Sequence, residues 1–358
     1  MKIKDIFLSL IIITLLFSCS DKSSEVNEVS LEGQIVKIDS VNMGVRPMWL
    51  LGDKLYARDN NFNICCGKLT KTEWQKADTV LVCGHGHNEF GCVFLSQYED
   101  CSLYVLDRPF QGQRLASITK IRHTDSIATI KDQTKWERYE LGQLPPFFQC
   151  GDRFVVMSDS TILVTGAPSK EMSHVFSVIN FKNQTVIPLD YWPDDGVPEN
   201  RTSEKMIRYT EYSGLLGNGE NRFLYWNSWV KLAFIFTIDG AKMKILNHLY
   251  SDLLPENLAS STERVYCCSN NDKIYLLYKD SNSKGEKMEK IERSDPFPMG
   301  NIVEVYDWNG VKQQIIHLDK SGRGLMLSED GKTLYLYSDM MVDGSDPYIY
   351  SYDLSSLK

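Results

Sequence analysis

The sequence has no excess of basic charge and almost no long apolar run. Its 39 Lys and Arg residues are outnumbered by 47 Asp and Glu residues, which gives a formal net charge of -8. Because nucleic acid binding depends on a positive surface, this balance argues against nucleic acid as a partner. The one apolar run, residues 6–17, is shorter than the roughly 20 residues of a membrane-crossing helix. A polytopic membrane protein is excluded, and 42% apolar residues exclude a disordered chain.

Catalytic signatures are missing as well. The sequence contains no G-x-S-x-G elbow, no H-E-x-x-H helix, no G-x-x-x-x-G-K-S/T loop and no G-x-G-x-x-G unit between a strand and a helix. It also lacks the two C-x-x-C pairs of a typical structural zinc site. We therefore assign no catalytic residue and no cofactor from motifs.

The N-terminus has the features of an export signal. Lys2 and Lys4 precede the apolar run, which is typical of a signal peptide rather than an anchor helix. The run ends in Leu-Phe-Ser-Cys, which resembles the bacterial lipobox, and this implies that Cys19 is lipidated and becomes the first residue of the mature chain. A plain secretory signal is the alternative. We predict a signal peptide at residues 1–18, a flexible tether at residues 19–30 and a folded body at residues 31–358.

These features predict a location in the envelope of a Gram-negative bacterium, lipid-anchored in the outer membrane. Ser20, Asp21 and Lys22 follow the cysteine and lack the acidic run that resembles a surface-export signal, so the periplasmic face is favoured over the cell surface. The other eight cysteines permit disulfides in an exported chain but also suit a buried core. They are Cys65, Cys66, Cys83, Cys92, Cys101, Cys150, Cys267 and Cys268.

One unit recurs six times along the chain. Each copy has a short apolar approach, a turn rich in Asp, Asn and Gly, and an alternating aromatic and aliphatic strand. The six turn positions are Asp53, Asp100, Asp152, Asn221, Asp272 and Gly331. Further strands of period two lie between them, and no convincing helical stretch follows the signal. The pattern predicts an all-β fold: a single six-bladed β-propeller with four-stranded antiparallel blades, and a monomer.

A propeller must also join its first and last blades, because open sheet edges aggregate. Residues 33–39 (GQIVKID) form an alternating strand before the first hairpin, and residues 348–354 (YIYSYDL) form one after the last. We predict that the N-terminal strand completes the last blade.

With these features the chain resembles the TolB-like six-bladed propeller lipoproteins of Bacteroides and relatives. Residues 84–91 (GHGHNEFG) are similar to the family's G-x-G-P-x-E-F sequence, with His87 in place of proline, and residues 306–310 (YDWNG) fit its later blades. The resemblance implies the propeller fold and an envelope location. It implies no activity, because the family has no agreed biochemical role.

Two sets of residues are candidate sites. His85, His87 and Glu89 share one face of an extended segment and could bind a divalent metal; the alternative, which we favour, is a sharp turn in which Glu89 caps backbone amides and Phe90 packs between blades. Aromatic side chains could bind a sugar or peptide, although packing between blades also explains them. These candidate ligand-binding residues are Trp192, Tyr209, Tyr212 and Trp226.

Three irregular stretches are candidate functional loops: residues 191–208, 281–300 and 122–144, the last with room for a short helix.

The favoured function is a membrane-tethered binding or scaffold propeller for a protein, peptide or glycan ligand. The alternative is a metal-dependent lyase or hydrolase with its site at the central channel. Acidic residues that end strands could serve such a site, but their recurrence suggests repeated turn caps. They are Asp59, Asp107, Asp159 and Asp339.

Overall fold

A computed structural model describes most of the chain after residue 25. The described residues are 26–38, 46–86, 89–97, 102–108, 116–122, 126–141, 154–165, 174–193, 209, 213–227, 232–251, 266–278, 300–338 and 348–357. They are nearly all in β-strands. Within them, no helix has the length and apolar character needed to span a bilayer.

The described strands form six antiparallel blades, which we number in chain order. The chain starts with β1 (Asn27–Leu31) and β2 (Gln34–Ile38). Blade 1 contains β3 (Arg46–Leu51), β4 (Lys54–Arg58), β5 (Ile64–Leu69) and β6 (Glu73–Leu81). Blade 2 contains β7 (Cys92–Gln97), β8 (Ser102–Arg108), β9 (Ser117–Arg122) and β10 (Glu137–Glu140). A short helix α1 (Ile127–Lys131) and a 3-10 turn (Gln133–Lys135) lie between β9 and β10.

The later blades repeat this order. Blade 3 contains β11 (Phe154–Val156), β12 (Thr161–Thr165), β13 (Phe176–Asn180) and β14 (Thr185–Pro188). Blade 4 contains β15 (Ser213–Gly217), β16 (Phe223–Asn227), β17 (Leu232–Asp239) and β18 (Lys242–Ser251). Blade 5 contains β19 (Tyr266–Ser269), β20 (Lys273–Tyr278), β21 (Gly300–Asp307) and β22 (Lys312–Gly322). Blade 6 contains β23 (Gly324–Leu327), β24 (Thr333–Ser338) and β25 (Tyr348–Asp353), with β2 as its fourth strand. The first and the last blade are joined into one eight-stranded sheet by the parallel pairing of β2 with β6.

The first strands of the six blades form a closed ring. Each of β3, β7, β11, β15, β19 and β23 contacts the first strand of the next blade, and β23 contacts β3. The fold is therefore a six-bladed β-propeller, as predicted from the repeat.

Six hydrophobic clusters of described residues lie between the blades, one for each pair of neighbours. Alternate side chains of one strand enter different clusters, because neighbouring residues point to opposite faces of a sheet. In β16, Phe223 and Tyr225 pack toward blade 3, whereas Leu224 and Trp226 pack toward blade 5. Middle strands are thus buried on both faces, which explains why they are nearly continuous apolar runs.

The N-terminal strands close the ring as predicted, and they also pair with strands of blades 1 and 5. In the last blade β2 is antiparallel to β25, with Val36 opposite Ile349. The same strand pairs in parallel with β6 of blade 1 through Lys37 and Glu73. Strand β1 pairs in parallel with β22 of blade 5. The described strands therefore begin at β1, and residues 27–30, which we predicted as part of a flexible tether, are a strand.

One predicted hairpin is misplaced. In blade 3 the strand after Asp152 is the inner strand β11, which pairs with β12 through a turn at residues 157–160. That turn contains Asp159, which we had predicted to cap the end of a strand. The error has a physical cause, because Gly151 and Asp152 have the composition of a hairpin turn.

None of the described cysteines forms a disulfide: Cys65, Cys66, Cys83, Cys92, Cys267 and Cys268. The other two, Cys101 and Cys150, lie outside the described residues. Burial raises the pKa of Cys66 to about 12. Such a thiol behaves as a small core residue, because the thiolate is the reactive form.

Candidate functional site

The two ends of the propeller differ in the length of their connections. We call hairpin face the edge where the first strand of each blade turns into the second and the third into the fourth. We call loop face the opposite edge, where the second strand connects to the third and the fourth connects to the next blade. Strand direction alternates in each antiparallel sheet, so every connection belongs to one of these two edges.

Connections at the hairpin face are short. Between described strands they span residues 52–53, 70–72, 157–160, 181–184, 218–222, 240–241, 270–272, 308–311 and 328–332. Gly52 in the first of these has φ of 60°, the left-handed conformation that a two-residue hairpin requires. The exception is in blade 2, where α1 lies between β9 and β10.

Most connections at the loop face are longer, although those at residues 59–63, 228–231 and 323 are short. The longer ones between described strands include residues 109–116, 141–153, 166–175, 189–212, 252–265, 279–299 and 339–347, most of which lie outside the described residues. Two predicted functional loops, residues 191–208 and 281–300, fall largely in this set. Long loops on a rigid scaffold are where proteins commonly bind ligands. The loop face is therefore the candidate functional site.

The best described part of the loop face is the connection from blade 1 to blade 2. Its backbone is held by bonds from Gly84 N to Phe90 O at 2.8 Å and from Phe90 N to Val82 O at 2.9 Å. Glu89 Oε2 accepts a hydrogen bond from Gly86 N at 2.7 Å. The same carboxylate folds so closely over Gly84 that a Cβ there would overlap it. An alanine at position 84 would therefore have to displace the carboxylate of Glu89.

These contacts bear on the predicted metal site. Glu89 is already bonded to the backbone of its own turn, and His85 is exposed. His87 lies outside the described residues. Among the residues that are described, no group of three His, Cys, Asp or Glu side chains is placed to hold a metal ion. The described contacts match the structural alternative, in which Glu89 caps an amide and Phe90 packs between blades.

An ion pair between a buried aspartate and a partly exposed arginine supports this connection from blade 2. Asp107 is completely buried, and its Oδ1 accepts a hydrogen bond from Gly91 N at 2.7 Å. Its Oδ2 accepts from Arg138 Nη2 at 3.3 Å, while Arg138 Nε donates to Ser117 Oγ at 3.1 Å. The guanidinium also lies over the ring of Phe90, 5.7 Å from its centroid. Asp107 thus fixes the loop to blade 2.

Asp107 is therefore more than a repeated turn cap. Asp59 fits that description, since its Oδ1 accepts from the amides of Asn61 and Asn63. Asp159 lies at the hairpin face and pairs with Lys182 at 2.7 Å. Asp339 lies outside the described residues. The sequence did not distinguish Asp107 because its partner Arg138 is two strands away in the blade order, with β9 between them.

The candidate aromatic residues lie in different environments. Tyr209 is fully buried and Trp226 is 7% exposed. Trp226 lies in the cluster between blades 4 and 5 and covers Gly214. Trp192 is half-buried and packs edge-on against Tyr209, with ring centroids 5.9 Å apart. Tyr212 lies outside the described residues. Tyr209 and Trp226 are interior residues, so these described side chains do not form an exposed platform.

Exposed apolar side chains occur at the described part of the loop face. Phe62, in the turn between β4 and β5, is 58% exposed, and Val82 is 46% exposed. The two positions are joined because Cys83 N donates to Asn63 Oδ1 at 2.9 Å. A rigid backbone thus presents an aromatic ring, an aliphatic side chain and the imidazole of His85. This arrangement can bind a ligand by apolar contact and hydrogen bonding.

A second buried carboxylate, which the sequence did not reveal, joins blades 4 and 5. Glu304 accepts hydrogen bonds from Tyr250, from Lys312 and, at 2.6 Å, from Tyr306. Burial alone would raise the pKa of Glu304, but these hydrogen bonds hold it below its ordinary value. Tyr250 comes from the outer strand of blade 4, so the cluster fastens one blade to the next.

The ring and its asymmetric faces define the class of the protein as a six-bladed β-propeller with one loop-rich face. No protein-family model and no curated protein matches the chain. Among solved structures, a luciferin-regenerating enzyme is similar at 10% identity, with a TM-score of 0.47, 94% of this chain and 95% of that one covered. The β-propeller domain of Cps50 (Swd1) from Myceliophteria thermophila is similar at 8% identity, with a TM-score of 0.48, 89% of this chain and 99% of that one covered. Both likenesses concern the fold.

Proposed function

We propose that the protein is an exported, lipid-anchored binding module that uses its loop face to hold a protein, peptide or glycan ligand. The observation that carries this proposal is the asymmetry of the two faces. Nearly all long connections leave the ring at one edge, while short hairpins occupy the other. Long loops do not stabilise the ring, because closing a longer loop costs more entropy. Their concentration at one edge therefore favours a role in binding.

The anchor is supported by the lipobox resemblance at residues 16–19 and the basic, apolar signal before it. Several acyl chains on one cysteine satisfy the requirement of more than one lipid signal for stable anchoring. The proposed location is the outer membrane of a Gram-negative bacterium, with the body in the periplasm. We propose a monomer without a resident cofactor, with a divalent metal at His85, His87 and Glu89 as the alternative.

The binding role is tested with defined probes. Full-length protein in detergent is screened against a panel of cell-envelope oligosaccharides and a library of short peptides. Any member that binds is measured again on two matched variants, Phe62→Ser at the loop face and Val311→Ser at the hairpin face. These side chains are 58% and 57% exposed, so neither substitution removes a buried contact.

We expect Phe62→Ser, or replacement of residues 281–298 by a Gly-Ser linker, to weaken binding, and Val311→Ser to leave it unchanged. The proposal is wrong if no member of either panel binds. It is also wrong if binding is lost only in the hairpin-face variant. The anchor is tested separately by the mass of the N-terminal peptide, which should carry diacylglycerol on Cys19, and by release of Cys19→Ser from membranes.

A further inference from the structure

The first ordered strand fixes where the chain enters the propeller. Strand β1 is parallel to β22, and Asn27 lies opposite Gln314, close to the start of that strand. The start of β22 follows the turn at residues 308–311, which belongs to the hairpin face. From Asn27 to Leu31 the chain runs away from the hairpin face. The chain therefore enters the propeller at Asn27, at the hairpin side of blade 5.

This entry point is held firmly. Val29 and Leu31 pack against the cluster between blades 5 and 6. Glu28 Oε2 lies 3.2 Å from His317 Nε2, and just past the strand Gly33 N donates to Asp319 Oδ1 at 2.9 Å. Five consecutive residues are paired in register with β22. The strand cannot shift to another edge without losing all of these contacts.

We propose that the anchored protein stands with its hairpin face toward the bilayer at blade 5 and its loop face pointing away from it. This inference rests on the lipidation of Cys19 in the proposed function. It deepens that function by stating which surface the anchor leaves accessible. A ligand would then approach from the side opposite the membrane.

The length of the tether decides between the two orientations. Eight steps of chain separate Cys19 from Asn27, which span at most about 28 Å when fully extended. With the loop face against the membrane, the tether would first have to pass along β22 from Gln314 to Gly322, about 26 Å at the usual rise of a strand. Almost no tether length would then remain to reach past the long connections of the loop face. With the hairpin face against the membrane, the tether does not run along β22, so its full length can span the distance to the bilayer.

The hairpin side of blades 4 and 5 suits a position near lipid headgroups. Val311, in the turn just before β22, is 57% exposed, and Leu246 on the neighbouring outer strand is 39% exposed. These positions adjoin each other, because Asn247 Nδ2 donates to Gly310 O at 3.2 Å. Adjoining exposed aliphatic side chains favour contact with a bilayer surface.

Photocrosslinking tests the orientation. Benzoylphenylalanine replaces Val311 in one full-length protein and Phe62 in another. Both lipidated proteins are reconstituted into vesicles of phosphatidylethanolamine and phosphatidylglycerol and irradiated, and lipid adducts are counted by mass spectrometry. We expect adducts several times more often at position 311 than at position 62. Equal yields, or more adducts at position 62, would overturn the orientation.

A longer tether provides an independent check. Inserting a long Gly-Ser segment after Ser24 removes the length restriction, so the difference between the two positions should shrink. An unchanged difference would mean that something other than tether length sets the orientation. The mass of the N-terminal peptide separates the two possible failures. A chain without lipid on Cys19 contradicts the anchor itself, whereas a lipidated chain with adducts at position 62 contradicts only the orientation.

Discussion

Val36 lies opposite Ile349 in the antiparallel ladder between β2 and β25, so a residue near the start of the folded body pairs with one near its end. The same strand β2 continues into parallel pairing with β6 of blade 1. Strand β2 thus joins the last blade to the first through its hydrogen-bonded ladders with both. The stability of the whole ring therefore depends on this short N-terminal strand.

Substitution of Val36 should destabilise the contact between blades 6 and 1. Val36 is 2% exposed and packs between blades 6 and 1, so Val36→Asp places an unpaired charge in that core. We expect a loss of at least about 3 kcal/mol in the free energy of unfolding. Urea denaturation followed by tryptophan fluorescence measures it.

The neighbouring residue is the control for this experiment. Ile35 points to the other side of β2 and is 62% exposed. Ile35→Asp should cost no more than about 1 kcal/mol. Similar losses from both variants would show that β2 is not held in this register.

The Glu304 cluster should make stability depend on pH. Since the pKa of Glu304 is held below its ordinary value in the folded state, its contribution is present above the unfolded pKa. It is lost as pH falls through the folded pKa. Glu304→Gln should therefore be less stable than the unsubstituted protein at pH 7, by about 2 kcal/mol, and the gap should narrow in the acid range.

The measurement is a series of urea midpoints from neutral pH into the acid range for both proteins. Asp159→Asn provides the control, because Asp159 forms its pair with Lys182 at the solvent-exposed surface. The urea midpoint of Asp159→Asn should stay close to that of the unsubstituted protein at every pH measured. A gap for Glu304→Gln that does not depend on pH would contradict the role of the carboxylate.

The loop from blade 1 to blade 2 should show coupling between Glu89 and Gly84. Glu89→Ala leaves Gly86 N without its acceptor and should cost about 1–2 kcal/mol, whereas Glu89→Gln keeps an acceptor oxygen and should cost less. Gly84→Ala would displace the same carboxylate. Its cost should therefore be smaller when Glu89 is already alanine. A double-mutant cycle of urea midpoints checks this.

A metal site in that loop would give a different result. Native mass spectrometry of the folded body would then show a stoichiometric divalent ion that a chelator removes and that Glu89→Gln lacks. His85→Ala would also lose it. We expect neither substitution to change the metal content, because the carboxylate serves the backbone turn. Loss of a bound ion in both variants would contradict this account.

Trp226 should act in packing rather than in ligand binding. It fills the space above Gly214 between blades 4 and 5, so Trp226→Ala should cost about 3–5 kcal/mol of stability. Trp192 is half-buried at the edge of the cluster between blades 3 and 4. Trp192→Ala should therefore lower the free energy of unfolding by only about 1–2 kcal/mol. Thermal denaturation of both variants compares them. A stable Trp226→Ala protein would contradict the packing role.

The sequence revealed the fold better than the site. Turn composition and strand alternation are local, so five of the six repeats and the closing strand could be recognised from neighbouring residues alone. The turn of the third repeat was misassigned because Gly151 and Asp152 have the composition of a hairpin turn, whereas the first hairpin of blade 3 lies at residues 157–160. The Asp107–Arg138 pair and the Tyr250–Glu304 hydrogen bond each join strands that are distant in the sequence. Such contacts depend on blade packing, which no local pattern encodes.

The most direct test of the loop face as the binding surface is hydrogen exchange on the full-length protein, with and without the tightest-binding member of the glycan and peptide panels. We predict that the ligand slows exchange at residues 59–63 and 82–91 and in the long connections of the same edge. Exchange in the short turns at residues 240–241 and 308–311 should not change. Protection confined to those hairpin turns would contradict the account.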